Sequence, residues 1–175
     1  ELRLDADAHN MSEKPARKNR CWALNYAEEA QFHLDALPAL KDGAAAVKMY
    51  AALRLANLYA ATSIAITDER HPEFRIITEA WQRSNPRGYA NWFRSRQHAI
   101  LEAQRLRVAT RLQAKVEQIP DYKVKTPLQA AIQILKRHRD IWGETNPDRK
   151  PISIILTTLA AHAYQQEVTI SAALE

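Results

Sequence analysis

The chain has 175 residues and a mass of 20.0 kDa, with 25 Lys and Arg against 20 Asp and Glu, so it is the size of one domain and carries a formal charge of +5. Hydrophobic residues at 46% allow a real core, while 3 glycines and 8 prolines exclude collagen-like and low-complexity polymers. The apolar stretches 44–66 and 151–163 are interrupted by Lys48 and Arg54 or fall short of a bilayer span of about 20 residues, and the single Cys21 excludes an internal disulfide, so no membrane crossing and a reducing, cytoplasmic setting are expected.

Residues 1–19 are polar and lack periodicity, which predicts a loop or frayed segment. Asp5 and Asp7 form a D-x-D pair, but in such surroundings two acids read as solvated rather than metal-binding. Between Arg20 and Leu37, ended by Pro38, two alternating aromatic-rich runs flank Ala27-Glu28-Glu29-Ala30 and predict a β-hairpin. Its second strand sets Phe32, Leu34 and Ala36 on one face and His33, Asp35 and Leu37 on the other. An edge strand with one solvated face would give the same pattern.

Residues 44–61 favour helix by propensity. A strand or loop over Ser63–Asp68 follows, then a turn at Ser84-Asn85-Pro86-Arg87-Gly88-Tyr89, and one or two helices from Tyr89 to Gln118. Residues 83–115 hold eight basic residues and one acid, Glu102, a concentration that exceeds the charge of the whole chain. It fits either the phosphates of a nucleotide or nucleic acid, with Trp92 and Phe93 as stacking partners, or a solvated helical face.

Thr126-Pro127 reads as an N-cap with proline at the first helical position, and Leu128, Ala131, Ile132 and Leu135 repeat at helical spacing up to Trp142. Gln129, Gln133, Lys136, Arg137 and Asp140 occupy the other side. A loop over Gly143–Lys150 leads to Pro151-Ile152-Ser153 and a mostly apolar helix over 154–164. Ser153 at its start is either a plain N-cap or an anion contact. Trp142, His162 and Tyr164 read as packed. The opening on Glu1 and the close at Glu175, inside what reads as helix, lead us to expect a portion of a longer protein.

Taken in order, Arg20-Cys21-Trp22-Ala23-Leu24-Asn25-Tyr26, Phe32-His33-Leu34-Asp35-Ala36-Leu37-Pro38, the block from Ser84 to Phe93, Leu135-Lys136-Arg137-His138-Arg139-Asp140 and the block from Lys150 to Ala160 resemble the bacterial cGAS/DncV-like nucleotidyltransferases, or CD-NTases, of CBASS antiphage systems. The resemblance covers roughly residues 18–175. It implies a mostly helical α+β fold: part of a DNA polymerase beta-like core with a short antiparallel sheet, and a C-terminal helical lobe. The organisation expected is a polar leading segment 1–19, a partial core 20–125 and a helical lobe 126–175.

The resemblance further implies synthesis of cyclic di- or oligonucleotide second messengers from nucleoside triphosphates such as ATP or GTP, with two magnesium ions (Mg2+). Asp35 matches the third metal-binding carboxylate, and Lys136 and Ser153 match the donor-triphosphate contacts. Two adjacent metals need several carboxylates to offset their charge. The family's Gly-Ser turn and first two carboxylates lack counterparts here, and Asp5-Ala6-Asp7 does not serve, since no Gly-Ser turn precedes it. The segment 39–70 also looks longer and more helical than the family connection. The 175-residue chain alone is therefore expected to be inactive. Implied partners are CBASS regulator or effector proteins. The alternative is a non-catalytic basic module that binds nucleic acid weakly or serves as an interaction partner.

Overall fold

The computed structural model describes residues 15–25, 33–53 and 58–175. The chain divides into two compact units, Glu1–Tyr89 and Ala90–Glu175. The class is α+β and mostly α, as the sequence led us to expect, with two small antiparallel sheets.

In the first unit the predicted hairpin forms: β2 (Trp22–Asn25) pairs with β3 (His33–Ala36), with Ala23 opposite Asp35 and Trp22 opposite Ala36. Phe32 and the connecting residues 26–31 lie outside the described residues, as do Asp5 and Asp7. The polar leading segment is not all loop. The Lys18 N–H donates to the Cys21 carbonyl at 2.8 Å, and this turn folds β1 (Ala16–Arg17) back onto β2. A two-residue strand carries no readable period, because its partner creates it.

The second sheet orders β4 (Ala39–Lys41), β5 (Ile64–Ile66) and β6 (Gln82–Ser84), which makes the segment after Ser63 a strand. Helix α1 (Gly43–Ala52) ends sooner than the helix predicted over 44–61. Its chain turns at Leu53, whose N–H returns to Met49, and a single 3-10 turn follows at Ala60–Thr62. Gly43 lies so close to the Ala61 backbone that a Cβ there would clash. Ion pairs brace this unit. Buried Asp68 accepts from Arg20 Nε at 2.6 Å and from Arg70 Nη2 at 3.0 Å, Arg83 meets Asp42 at 2.5 Å, and Arg17 meets Glu69.

The cluster at 84–89 is a helix start rather than a free turn. Asn85 Oδ1 accepts the Gly88 N–H at 2.8 Å, and Pro86 supplies a first residue with pre-set φ, so α2 (Pro86–Arg96) begins before Tyr89.

The second unit continues with α3 (His98–Leu112), ended by Gln113 in the left-handed region at φ 51°. Helix α4 (Pro127–Thr145) starts as predicted, with a capping box between Thr126 and Gln129. It runs past Trp142 because a single glycine, Gly143, costs a helix only about 1 kcal/mol. Helix α5 (Ser153–Ala163) packs on α4. Arg96 donates to the carbonyls of Ala161 at 2.7 Å and Tyr164 at 2.8 Å, closing its C-terminus.

Two apolar clusters hold the unit: Leu101, Ala109, Ile119 and Val124, and Leu128, Ile132, Ala161 and Tyr164. Tyr164 is buried as expected, whereas Trp142 is 40% exposed and His162 is exposed, with its ring 4.8 Å from that of Trp92. Trp142 lies on an outer helix surface, and His162 keeps one ring neighbour while the rest of it meets solvent. No helix continues to Glu175: beyond Ala163 the chain is irregular, with Gln166 at φ 68°.

Candidate functional site

The three residues singled out in the sequence divide between the units: Asp35 belongs to the first, Lys136 and Ser153 to the second. Asp35 sits on β3 with its side chain 39% exposed, and Lys18 Nζ lies 3.9 Å from Oδ1. At that distance and exposure the pair contributes little, so the carboxylate is open to other partners. His33 occupies the position two residues earlier on the same strand.

Lys136 lines a cleft of about 380 Å³ in the second unit together with Phe93, Tyr122, Gln129, Gln133 and Thr157. Helical spacing sets Gln129, Gln133 and Lys136 along one flank of α4, next to the buried Leu128 and Ile132 that fix the helix, and Ile132 itself reaches the cleft. The cleft thus combines the ammoniums of Lys136 and Lys125, two side-chain amides, a hydroxyl and two aromatic rings with one carboxylate, Asp121, which Arg94 and Arg105 offset, groups able to receive an anionic, ring-bearing ligand.

Ser153 opens α5 but is not its cap: the cap position is Ile152, and the Ser153 side chain makes no capping bond. Its Oγ accepts from Arg139 Nη1 at 2.7 Å. Arg139 also donates to the Pro151 carbonyl at 3.3 Å and, through Nε and Nη2, to Asp140 Oδ1 at 3.0 and 2.6 Å. Lys150 Nζ reaches the same oxygen at 2.9 Å. The bonds from Lys150 and Arg139 hold the Asp140 carboxyl below the usual carboxylate range. Sequence reasoning named Lys136 and Ser153 and missed Arg139. The only signal was an Arg-Asp pair on the polar side of α4, followed by Lys150-Pro151-Ile152-Ser153 beyond the loop.

Half of the eight basic residues in the stretch 83–115 are committed within the chain. Arg83 pairs with Asp42, Arg94 with Asp121, Arg105 with Glu102 at 2.9 Å, and Arg96 serves the end of α5. Trp92 and Phe93 are half-buried against the Leu128 cluster, with Phe93 also lining the Lys136 cleft, so the two rings do not form one open stacking platform. Arg87, Arg107, Arg111 and Lys115 are left on the surface. Both features weaken the nucleic-acid reading.

Among the described residues no three His, Cys, Asp or Glu side chains converge to hold a metal ion. Asp35 alone offers one carboxylate, so the described residues do not by themselves fit a pair of magnesium ions. No helix among them is long and apolar enough to cross a membrane.

No family model matches the chain. It is similar to a curated c-di-GMP synthase of Roseivirga ehrenbergii, with 35% identity over 158 residues, which is 90% of this chain and 35% of that protein. It is also similar in fold to the solved structure of the CD-NTase CdnG of Bradyrhizobium diazoefficiens in complex with GTP. There the TM-score is 0.58 at 21% identity, over 99% of this chain and 48% of that one. The chain thus spans about a third of the length of its curated relative and about half that of the solved chain.

Proposed function

Because the chain is a relative of the cGAS/DncV-like nucleotidyltransferases across most of its length and has their fold, we propose that it is part of an enzyme that joins nucleoside triphosphates into a cyclic di- or oligonucleotide messenger for antiphage defence in the cytoplasm. The observation that carries this reading is the 35% identity to a c-di-GMP synthase over 158 residues. GTP, the ligand of the CdnG structure, is the triphosphate we assign first.

In this reading Lys136 and Ser153 hold the donor triphosphate. The Lys136 ammonium has no described acid partner and faces a cleft, as a phosphate ligand should. Fixing a triphosphate by charge-assisted hydrogen bonds is the main task in phosphoryl-type transfer. In the same reading Asp35 is the third metal-binding and catalytic carboxylate, the role that the resemblance of its block implies. One carboxylate does not assemble a two-metal centre, so we assign no chemical step to this chain alone and infer that it is inactive by itself.

The test uses two proteins: the 175-residue chain and the product of the whole reading frame that contains it. Each is incubated with Mg2+ and all four radiolabelled triphosphates. Cyclic product from the whole protein, abolished by Asp35→Ala, and none from the 175-residue chain is the expected result. Product from the short chain would overturn its inactivity, and none from the whole protein would overturn the enzyme reading.

A further inference from the structure

Resting on the reading that Ser153 contacts a triphosphate, we propose that Arg139 is the positioning residue for that contact, fixing Ser153 so that its hydroxyl proton is presented to a phosphate oxygen. The argument starts from donor and acceptor chemistry. A guanidinium has five N–H donors and no acceptor, so in the 2.7 Å bond between Arg139 Nη1 and Ser153 Oγ the serine oxygen must accept. Its own proton is thereby turned away from Arg139. The Ser153 side chain is exposed, so an incoming anionic oxygen can take that proton as a hydrogen bond. The adjacent positive charge polarises the O–H and strengthens such a bond.

The guanidinium is itself held on its other edge. Only 13% of the Arg139 side chain is exposed, and Nε and Nη2 both donate to Asp140 Oδ1. Lys150 Nζ, arriving from the far side of the α4–α5 connection, shares that oxygen at 2.9 Å. The Lys150 stem runs over Gly143, where an added Cβ would come within 2.6 Å of its Cδ. Arg139 also donates to the Pro151 carbonyl, so one side chain ties both the loop before α5 and the first residue of α5 to α4. An arginine immobilised on both edges sets the direction of the Ser153 hydroxyl before a ligand arrives.

Titration calorimetry of the 175-residue chain with inorganic tripolyphosphate tests this. Lys136→Ala and Ser153→Ala should each weaken binding about 10-fold or more, as loss of a hydrogen bond to a charged group does. Arg139→Ala should weaken it to a similar extent, and adding Arg139→Ala to Ser153→Ala should cause no further loss, because Arg139 acts through that hydroxyl. Added to Lys136→Ala, it should multiply the loss. A merely structural role would give losses in both backgrounds. If circular dichroism shows that Arg139→Ala has not folded, Lys150→Met replaces it, with an expected loss of about 3-fold that likewise vanishes in the Ser153→Ala background. Additive losses on top of Ser153→Ala, or unaltered binding in Arg139→Ala, would overturn the inference and leave the triphosphate reading standing. Absence of binding by the unaltered chain, or binding indifferent to both Lys136→Ala and Ser153→Ala, would overturn that reading and the inference with it.

Discussion

Among the described residues, the buried apolar residues of the first unit are Ala23, Leu24, Ala46, Ala60, Ile66 and Trp81, half of them alanines; those of the second are Leu101, Ala109, Ile119, Val124, Leu128, Ala131, Ile132, Ala161 and Tyr164, a third of them alanines. Burial stabilises by about 25 cal/mol per Å² of apolar surface, so an alanine contributes far less than a leucine or tyrosine. The first unit makes up part of the difference with charge: buried Asp68 anchors two arginines, Arg83 meets Asp42, and Arg17 meets Glu69. The second relies on helix faces that interlock, with a capped start at Thr126 and a closed end at Tyr164. The second unit has ion pairs of its own, Arg94–Asp121, Arg105–Glu102 and Asp140 with Arg139 and Lys150, but it buries larger side chains, so it should answer to volume more than the first does.

The largest expected effect is on the second unit. Leu128 is 1% exposed at the centre of the cluster formed with Ile132, Ala161 and Tyr164. Leu128→Ala removes buried methyls and leaves a cavity, at a cost of about 2–5 kcal/mol. Urea unfolding of the chain, followed by helical circular dichroism, should show this loss equally at low and high salt. A loss under about 1 kcal/mol would mean that the second unit does not depend on this cluster, and would break the comparison.

A smaller effect, present at neutral pH and lost in acid, is expected in the first unit. Hydrogen bonds from Arg70 and then Arg20 hold the Asp68 carboxyl well below the ordinary carboxylate range. Its folded pKa therefore lies below its unfolded value of about 3.9, so its contribution to stability is complete above about pH 4 and is lost as pH falls toward the folded value. Asp68→Asn should lower thermal stability at neutral pH and flatten its decline below about pH 4, so that the two curves converge in acid. Parallel curves would show that the Arg20–Asp68–Arg70 group does not brace the unit.

The same division explains what could be read from the sequence. Helix α4 was legible because Thr126, Pro127, Leu128, Ala131 and Ile132 carry their signal within a few residues of one another. The β2–β3 hairpin was legible from its period of two. Strand β1, the early stop of α1 and the exposure of Trp142 were not, since each depends on what the rest of the fold brings against it. The candidate site follows the same rule. Lys136 and Ser153 came from the order of the motif blocks, and no periodicity singles them out. Arg139 and its bond to Ser153 join residues 14 apart across a loop, so only the folded chain shows them.

The smallest expected effect sharpens the comparison where charge and packing meet. Gly143 is buried within α4 beneath the Lys150 stem, and a methyl there would lie 2.6 Å from Cδ. Gly143→Ala improves helix propensity by about 1 kcal/mol. It also pushes a flexible lysine aside and weakens a surface pair with Asp140, which contributes about 0–1 kcal/mol. The two terms nearly cancel, so urea unfolding should give a change between zero and about 1 kcal/mol of stabilisation. Destabilisation beyond about 1 kcal/mol would show that Lys150 is held too firmly to move, making the Asp140–Lys150 pair as structural to the second unit as Asp68 is to the first.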